Sequence, residues 1–125
     1  MIRAAEAAAA KGAEDVVALE VGGVLAITDA FVIASGTNRR QVLTMAEEVE
    51  ARVKADDGPS PLRIEGLSEA QWVLLDYGDF VVHLFLEEVR RYYDLERLWA
   101  DAPVIDLGLG LGLDRPAEAR AANGD

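Results

Sequence analysis

Asp76, Asp79 and His83 fall within eight consecutive residues of WVLLDYGDFVVHLF, residues 72–85. Two carboxylates can hold a divalent cation, and an imidazole can carry a proton near neutral pH. The cluster therefore has the makings of metal-assisted or general acid–base chemistry. The same letters also describe a β-hairpin, two apolar runs joined at Asp76-Tyr77-Gly78-Asp79. With Gly78-Asp79 as the central turn residues, Tyr77 faces Phe80, Leu75 faces Val82 and Val73 faces Leu84. That face is wholly apolar and belongs in a core. The opposite face pairs Asp76 with Val81, Leu74 with His83 and Trp72 with Phe85. Large apolar groups mixed with one carboxylate and one imidazole suit half-burial or a contact surface. His83 is the only histidine, and there is no cysteine to join it. The hairpin reading is the better one: the acids flank a turn and the histidine lies on a packing or recognition face. No catalytic residue and no metal ligand is assigned.

Two further stretches invite chemistry and fall short. ASGTNRR, residues 34–40, sets a glycine turn between a strand and a helix start, where backbone N–H groups can meet an anion. Nucleotidyl transferases use a comparable Gly-Ser turn with a nearby Asp-x-Asp pair for metal. Here Asp76 and Asp79 are three apart in a tight turn and diverge, so a metal-dependent transferase built on Asp29, Asp76 or Asp79 is the weakest of the readings carried forward. Gly108, Gly110 and Gly112 imitate a dinucleotide-binding loop, but no apolar helix follows and the acidic residue expected about 20 positions on is missing. No cofactor is expected.

The elements that must position the hairpin can be read from periodicity. Alanine propensity makes residues 2–11 a helix, stopped by Gly12. DVVALEV (15–21) is a strand, and AFVIAS (30–35) is a second whose unbroken apolar run suits burial on both faces. A helix opens at GTNRRQ, with Asn38 and Gln41 at capping-box spacing and Thr37 as a rival cap. Val42, Met45, Ala46, Val49 and Val53 form its apolar face, and DDGPSP (56–61) ends it. LRIEG (62–66) is a short strand, LSEAQ a connector, and the hairpin strands are 72–77 and 80–86. EEVRRYYDLERLW (87–99) is helical with a break near Asp94, where the apolar phase slips. Its Arg90, Arg91, Tyr92, Tyr93 and Trp99 are of the types that dominate interface hot spots. The order α-β-β-α-β-β-β-α implies an α/β (α+β-like) fold with a mixed sheet of about five strands flanked by helices. Residues 1–103 form one domain. The Gly/Ala-rich tail, 104–125, can add a strand at 103–107 and is otherwise expected to be largely disordered.

Composition narrows the partners. Twelve basic against twenty-three acidic residues give a net charge of −11. Such a chain repels phosphate backbones, so direct nucleic-acid binding is not expected, whereas a basic protein is an electrostatically easier partner. No apolar run approaches the roughly 18 residues that span a bilayer. The N-terminal MIRAAEAAAAKGAED is interrupted by Glu6 and Lys11 and runs straight into a strand, unlike a secretory leader. With no cysteine, a cytoplasmic location fits.

Three ordered blocks, ITDAFVIASGTNRRQV (27–42), IEGLSEAQWVLLDYGDFVVHLF (64–85) and RRYYDLERLWADAP (90–103), together with EDVVALEV (14–21), resemble the ribosomal silencing factors, a family related to the plant Iojap protein. The resemblance covers roughly residues 14–103 and is carried most specifically by the DYGD hairpin and the YYDLE-x-LW helix. It implies a fold similar to that of nucleotidyl transferases without their activity, hence no enzyme. It also implies a cytoplasmic protein that docks on a large-subunit ribosomal protein of the L-fourteen type, blocks joining with the small subunit and represses translation when nutrients are scarce. Free members of the family can form homodimers. A large-subunit assembly factor is the nearest alternative. The family's hairpin tryptophan, linked to ribosomal-protein binding, corresponds to Trp72. Asp76, Tyr77, Arg90 and Tyr93 match positions in the same blocks, and their assignment to binding follows from side-chain type and strand phase.

Overall fold

A computed structural model describes residues 1–23, 28–56 and 58–108, together with the backbone of two short strands, Pro116–Ala117 and Ala119–Arg120. The expectations for the rest of the tail, including its disorder, lie outside the described residues. In chain order the elements are α1 (Ile2–Ala10), β1 (Glu14–Glu20), β2 (Ala30–Gly36), α2 (Arg39–Ala55), β3 (Arg63–Glu65), β4 (Trp72–Asp76), β5 (Phe80–Leu86), α3 (Glu87–Tyr93) and α4 (Leu95–Leu98). This is the α/β order read from periodicity. The five strands form one mixed sheet, β1-β2-β5-β4-β3. Only the β2–β5 pair is parallel; the other neighbours are antiparallel.

β2 lies near the centre of the sheet and all seven of its residues are buried, as its unbroken apolar run requires. One sheet face is covered by α1 and α2. Ala4, Ala5, Ala7 and Ala8 of α1 meet Val42, Met45, Ala46, Val49 and Val53 of α2 in one cluster with Val73, Leu75, Val82 and Leu84 of the hairpin. The alanines let the two helices come close without large side chains between them. Each fully buried Val or Met contributes about 1.5–3 kcal/mol, so the α2 stripe is a major part of the stability.

The helix ends are chemically specified. α1 stops where Gly12 takes a φ of +81°, with Ala13 N–H donating to Ala8 O and Gly12 N–H to Ala9 O. Those two bonds satisfy carbonyls left free at a helix C-terminus, and glycine adopts the left-handed conformation at little cost. α2 begins at Asn38, whose Oδ1 accepts from Gln41 N–H at 2.8 Å. Gln41 does not close a standard capping box. Its Oε1 reaches one residue further back and accepts from Thr37 N–H at 2.7 Å and Thr37 Oγ1 at 3.1 Å. The two rival caps therefore act together. Asn38→Ala should cost about 1 kcal/mol of stability, measured as a shift in the urea midpoint. A loss within error would mean that the Thr37–Gln41 contact alone holds the helix start.

The hairpin has the register expected of a Gly78-Asp79 turn: Asp76 opposite Val81, Leu75 opposite Val82, Leu74 opposite His83, Val73 opposite Leu84 and Trp72 opposite Phe85. Tyr77 N–H donates to Phe80 O at 3.0 Å and closes the turn. Gly66, at φ +88°, sits so close to the Trp72 carbonyl oxygen that a Cβ there would overlap it. Glycine at this position lets the chain fold back and start β4. The strand expected at 103–107 is reduced to a single bridge, Val104 opposite Leu19, with Pro103 O and Ile105 N–H bonded to β1. It covers the outer edge of β1, which would otherwise present unpaired backbone groups.

Candidate docking face

The sheet face away from α1 and α2 carries the mixed surface. Alternation along β4 places Trp72, Leu74 and Asp76 on it, and alternation along β5 adds Val81, His83 and Phe85. β2 contributes Phe31 and Ile33, which join Phe85, Leu95 and Ala102 in a second core cluster with Trp72 and Trp99 packed against it. α3 leaves the end of β5 and brings Tyr93 over Trp72, with ring centroids 4.9 Å apart. Trp72 also lies 4.8 Å from Phe85. Its Nε1–H donates to His83 Nδ1 at 3.1 Å. The result is a contiguous aromatic surface in which Trp72 is half-buried, Tyr93 is half-exposed and Tyr92 is exposed. A cleft of about 320 Å³ between Glu65, Gly66, Trp72 and Leu74 lies beside it.

His83 is buried on this face, and burial alone pushes its imidazole down to about 4 from the usual 6.5. Withdrawing the ring from water disfavours its charged form. At neutral pH it is an uncharged packing and hydrogen-bonding group, edge-on to Phe31 at 4.6 Å.

The sequence-assigned binding residues divide into three groups. Trp72 and Tyr93 come together as one surface. Asp76 stands two residues further along the same face of β4, where its carboxylate accepts from Gly78 N–H at 2.9 Å and pairs with Arg63 at 3.2 Å. Its first role is thus to hold the turn. Arg90 and Tyr77 are elsewhere. Arg90 is 7% exposed: Nε and Nη2 donate to Glu96 Oε2 at 3.1 and 2.7 Å, and Nη1 donates to Ser35 Oγ at 3.1 Å. It ties α3 to α4 and the sheet and so holds Tyr93 in place. Tyr77 is buried on the opposite face, stacked on Phe80 at 4.8 Å. Its hydroxyl is pushed up to about 12 by burial and by the Glu50 carboxylate. The strand phase that put Tyr77 in the apolar set already excluded it from the surface containing Trp72.

The face also holds Leu74 and Tyr92, which the sequence put on the mixed hairpin face and among the hot-spot types without assigning them to binding, and Phe31, which the sequence did not single out. Leu74 follows from the same alternation as Trp72. Phe31 could not be found that way, because both faces of β2 are buried and its neighbour β5 is distant in sequence. Among the described residues, no three His, Asp or Glu side chains are grouped to hold a metal ion, and no helix is long and apolar enough to cross a membrane. Asp29 meets the hairpin through its backbone N–H, which donates to Asp79 O at 2.8 Å.

A mixed five-stranded sheet backed by two helices, with an aromatic surface on its other face, defines the class: a small α/β domain with one helix-covered and one aromatic sheet face. Comparison with known proteins places it more closely. The family model described as ribosomal silencing factor during starvation, RsfS, matches residues 1–124, and the chain belongs to that family. It is 43% identical over 108 residues to the ribosomal silencing factor RsfS of Bacillus subtilis, covering 86% of this chain and 91% of that protein. It is 35% identical over 92 residues to the mouse mitochondrial assembly of ribosomal large subunit protein 1, covering 71% of this chain and 40% of that longer protein. A crystal structure of a Chromobacterium violaceum protein superimposes with a TM-score of 0.75 at 35% identity, covering 78% of this chain and 81% of that one. A second, from Bacillus halodurans, gives 0.71 at 39% identity, covering 82% and 91%.

Proposed function

We propose that the chain is a non-enzymatic translation repressor that binds the large ribosomal subunit and, by occupying its joining face, keeps the small subunit away when nutrients are limiting. The observation that carries this reading is the aromatic surface of Trp72 and Tyr93 on a member of the silencing-factor family. Half-buried tryptophan and tyrosine beside a cleft are the groups that supply most of the energy of a protein–protein contact. The net charge of −11 favours a basic ribosomal protein, of the L-fourteen type, over ribosomal RNA as the direct contact. No reaction is needed: steric exclusion follows from occupancy. The protein acts in the cytoplasm, and free copies pair as homodimers.

The test is co-sedimentation of the purified protein with isolated large and small subunits, followed by mixing of the two. Binding to large subunits alone, with fewer joined particles formed, is the expected result. Binding to neither, or no effect on joining, would remove the proposal. The mouse relative's name supports a second reading, a factor bound during assembly of the large subunit. Recovery of the protein on precursor particles but not on mature subunits would favour it.

Salt should slow association, because an acidic domain approaches a basic partner through a screened field. The expected result is an association rate that falls as ionic strength rises, with a smaller change in dissociation. Changing Asp76 and Asp79 to Asn should flatten that dependence. A flat profile for the unmodified chain would mean that its charge serves solubility and not encounter.

A further inference from the structure

The two edges of the sheet are finished differently. Residues 103–105 cover the outer edge of β1, whereas among the described residues nothing pairs with the outer edge of β3. Which groups that edge presents follows from the ladder. Tyr77 N–H bonds to Phe80 O, so Tyr77, Leu75 and Val73 turn their backbone groups toward β5. Leu74 and Asp76 turn theirs the other way, toward Glu65 and Arg63 of β3. Ile64, between those two, therefore points its N–H and C=O outward from the sheet. Arg63 and Glu65 flank it on the face that carries Trp72, each more than half exposed and in contact along the strand at 2.7 Å. Leu62 and Leu67, just beyond, are 75% and 44% exposed.

Charged residues on an open edge ordinarily keep other strands away. That protection works when an incoming strand meets like charge. The order Arg63-Ile64-Glu65 is instead its own complement. In an antiparallel pairing of two such strands about Ile64, Arg63 stands opposite the partner's Glu65, and Glu65 opposite the partner's Arg63. Ile64 and the partner's Ile64 exchange both backbone hydrogen bonds, and the charged pairs fall at the closer spacing of about 4.5 Å between Cα atoms. The four charges alternate in sign around a square. Leu62 falls opposite the partner's Gly66, where no side chain competes for the space.

We propose that the open edge of β3 is the contact through which a second copy of this chain pairs, joining the two sheets into one. The two-fold axis passes between the two Ile64 residues, perpendicular to the sheet, so both Trp72 faces end on the same side. Pro61, which has no N–H to donate, and the turn at Gly66 confine the pairing to residues 62–66, so the contact is weak and reversible. The inference gives a surface to the pairing of free copies proposed above and rests on that reading.

Sedimentation velocity of the full chain over a concentration series reads the self-association. Arg63→Glu alone sets acid against acid in both cross-strand pairs, and Glu65→Arg alone sets base against base. Each should weaken self-association by about tenfold or more. Mixing the two variants in equal amounts makes both pairs opposite again, so the expected result is a mixed dimer about as tight as the unmodified one. The chain carrying both changes should also pair with itself. Urea midpoints establish that each variant is folded, since Arg63→Glu also loses the pair with Asp76. Rescue by mixing is a result that a folding defect in either variant does not produce. A chain that stays monomeric at every concentration would overturn this proposal and the pairing of free copies together. A dimer that neither single change weakens, or that mixing fails to restore, would overturn this proposal alone and move the pairing to another surface. Single variants that lose large-subunit binding while their self-association is unchanged would assign the edge to a strand of the ribosomal partner instead.

Discussion

Trp72→Ala should weaken binding to isolated large ribosomal subunits by about 2 kcal/mol or more, roughly thirtyfold in affinity. The side chain presents a large apolar area, and Phe85 and Tyr93, each within 5 Å of its ring, hold that area in one orientation. A preorganised aromatic group loses little conformational freedom on docking, which is why such residues dominate contact energies. Truncation also removes the donor to His83 Nδ1, leaving a buried acceptor unsatisfied. Part of any loss could therefore come from the fold. Trp72→Phe and a urea titration separate the two effects: the ring is restored while the hydrogen bond is not. Co-sedimentation reads the outcome. Unchanged binding by a folded Trp72→Ala protein would reduce this residue to internal packing and move the docking face elsewhere.

Acidification should destabilise the protein through His83. In the unfolded chain the imidazole titrates near 6.5; in the folded protein, burial holds it near 4. Between those values the unfolded chain takes up a proton that the folded one refuses. The stabilisation is thus complete above 6.5 and disappears as pH falls toward 4, where the loss levels off. A displacement of this size corresponds to about 3 kcal/mol, since each pH unit of displacement is worth about 1.4. Urea midpoints between pH 7 and 4 measure it. His83→Gln should remove this component, leaving the shallower slope of the carboxylates. Parallel curves for the two proteins across this range would show that the imidazole gains its proton without unfolding the chain.

The secondary structure was largely legible because its signals are local. The five apolar residues of α2 recur at helical spacing, Asn38 has the side chain a helix start needs, and the Tyr-Gly-Asp turn sets the hairpin register by loop length alone. The break at Asp94, which takes a φ of +48°, was visible as a slip in apolar phase between Tyr93 and Leu95. The division of the hairpin into a core face and a contact face followed from the two-residue period of a strand. The three blocks by themselves carry the resemblance to the silencing-factor family.

What only the tertiary structure decided is which side chains share a place. Arg90 reads as a surface arginine, and it is buried because α3 packs onto β5 and β2, where Ser35 of β2 and Glu96 of α4 accept its N–H groups. The parallel pairing of β2 with β5 brings Phe31 and Thr28 beside His83 across more than fifty residues of chain. Periodicity reports which way a side chain faces along its own element. It carries no record of which distant element will be packed there, and the cavity around His83 is made by that second choice.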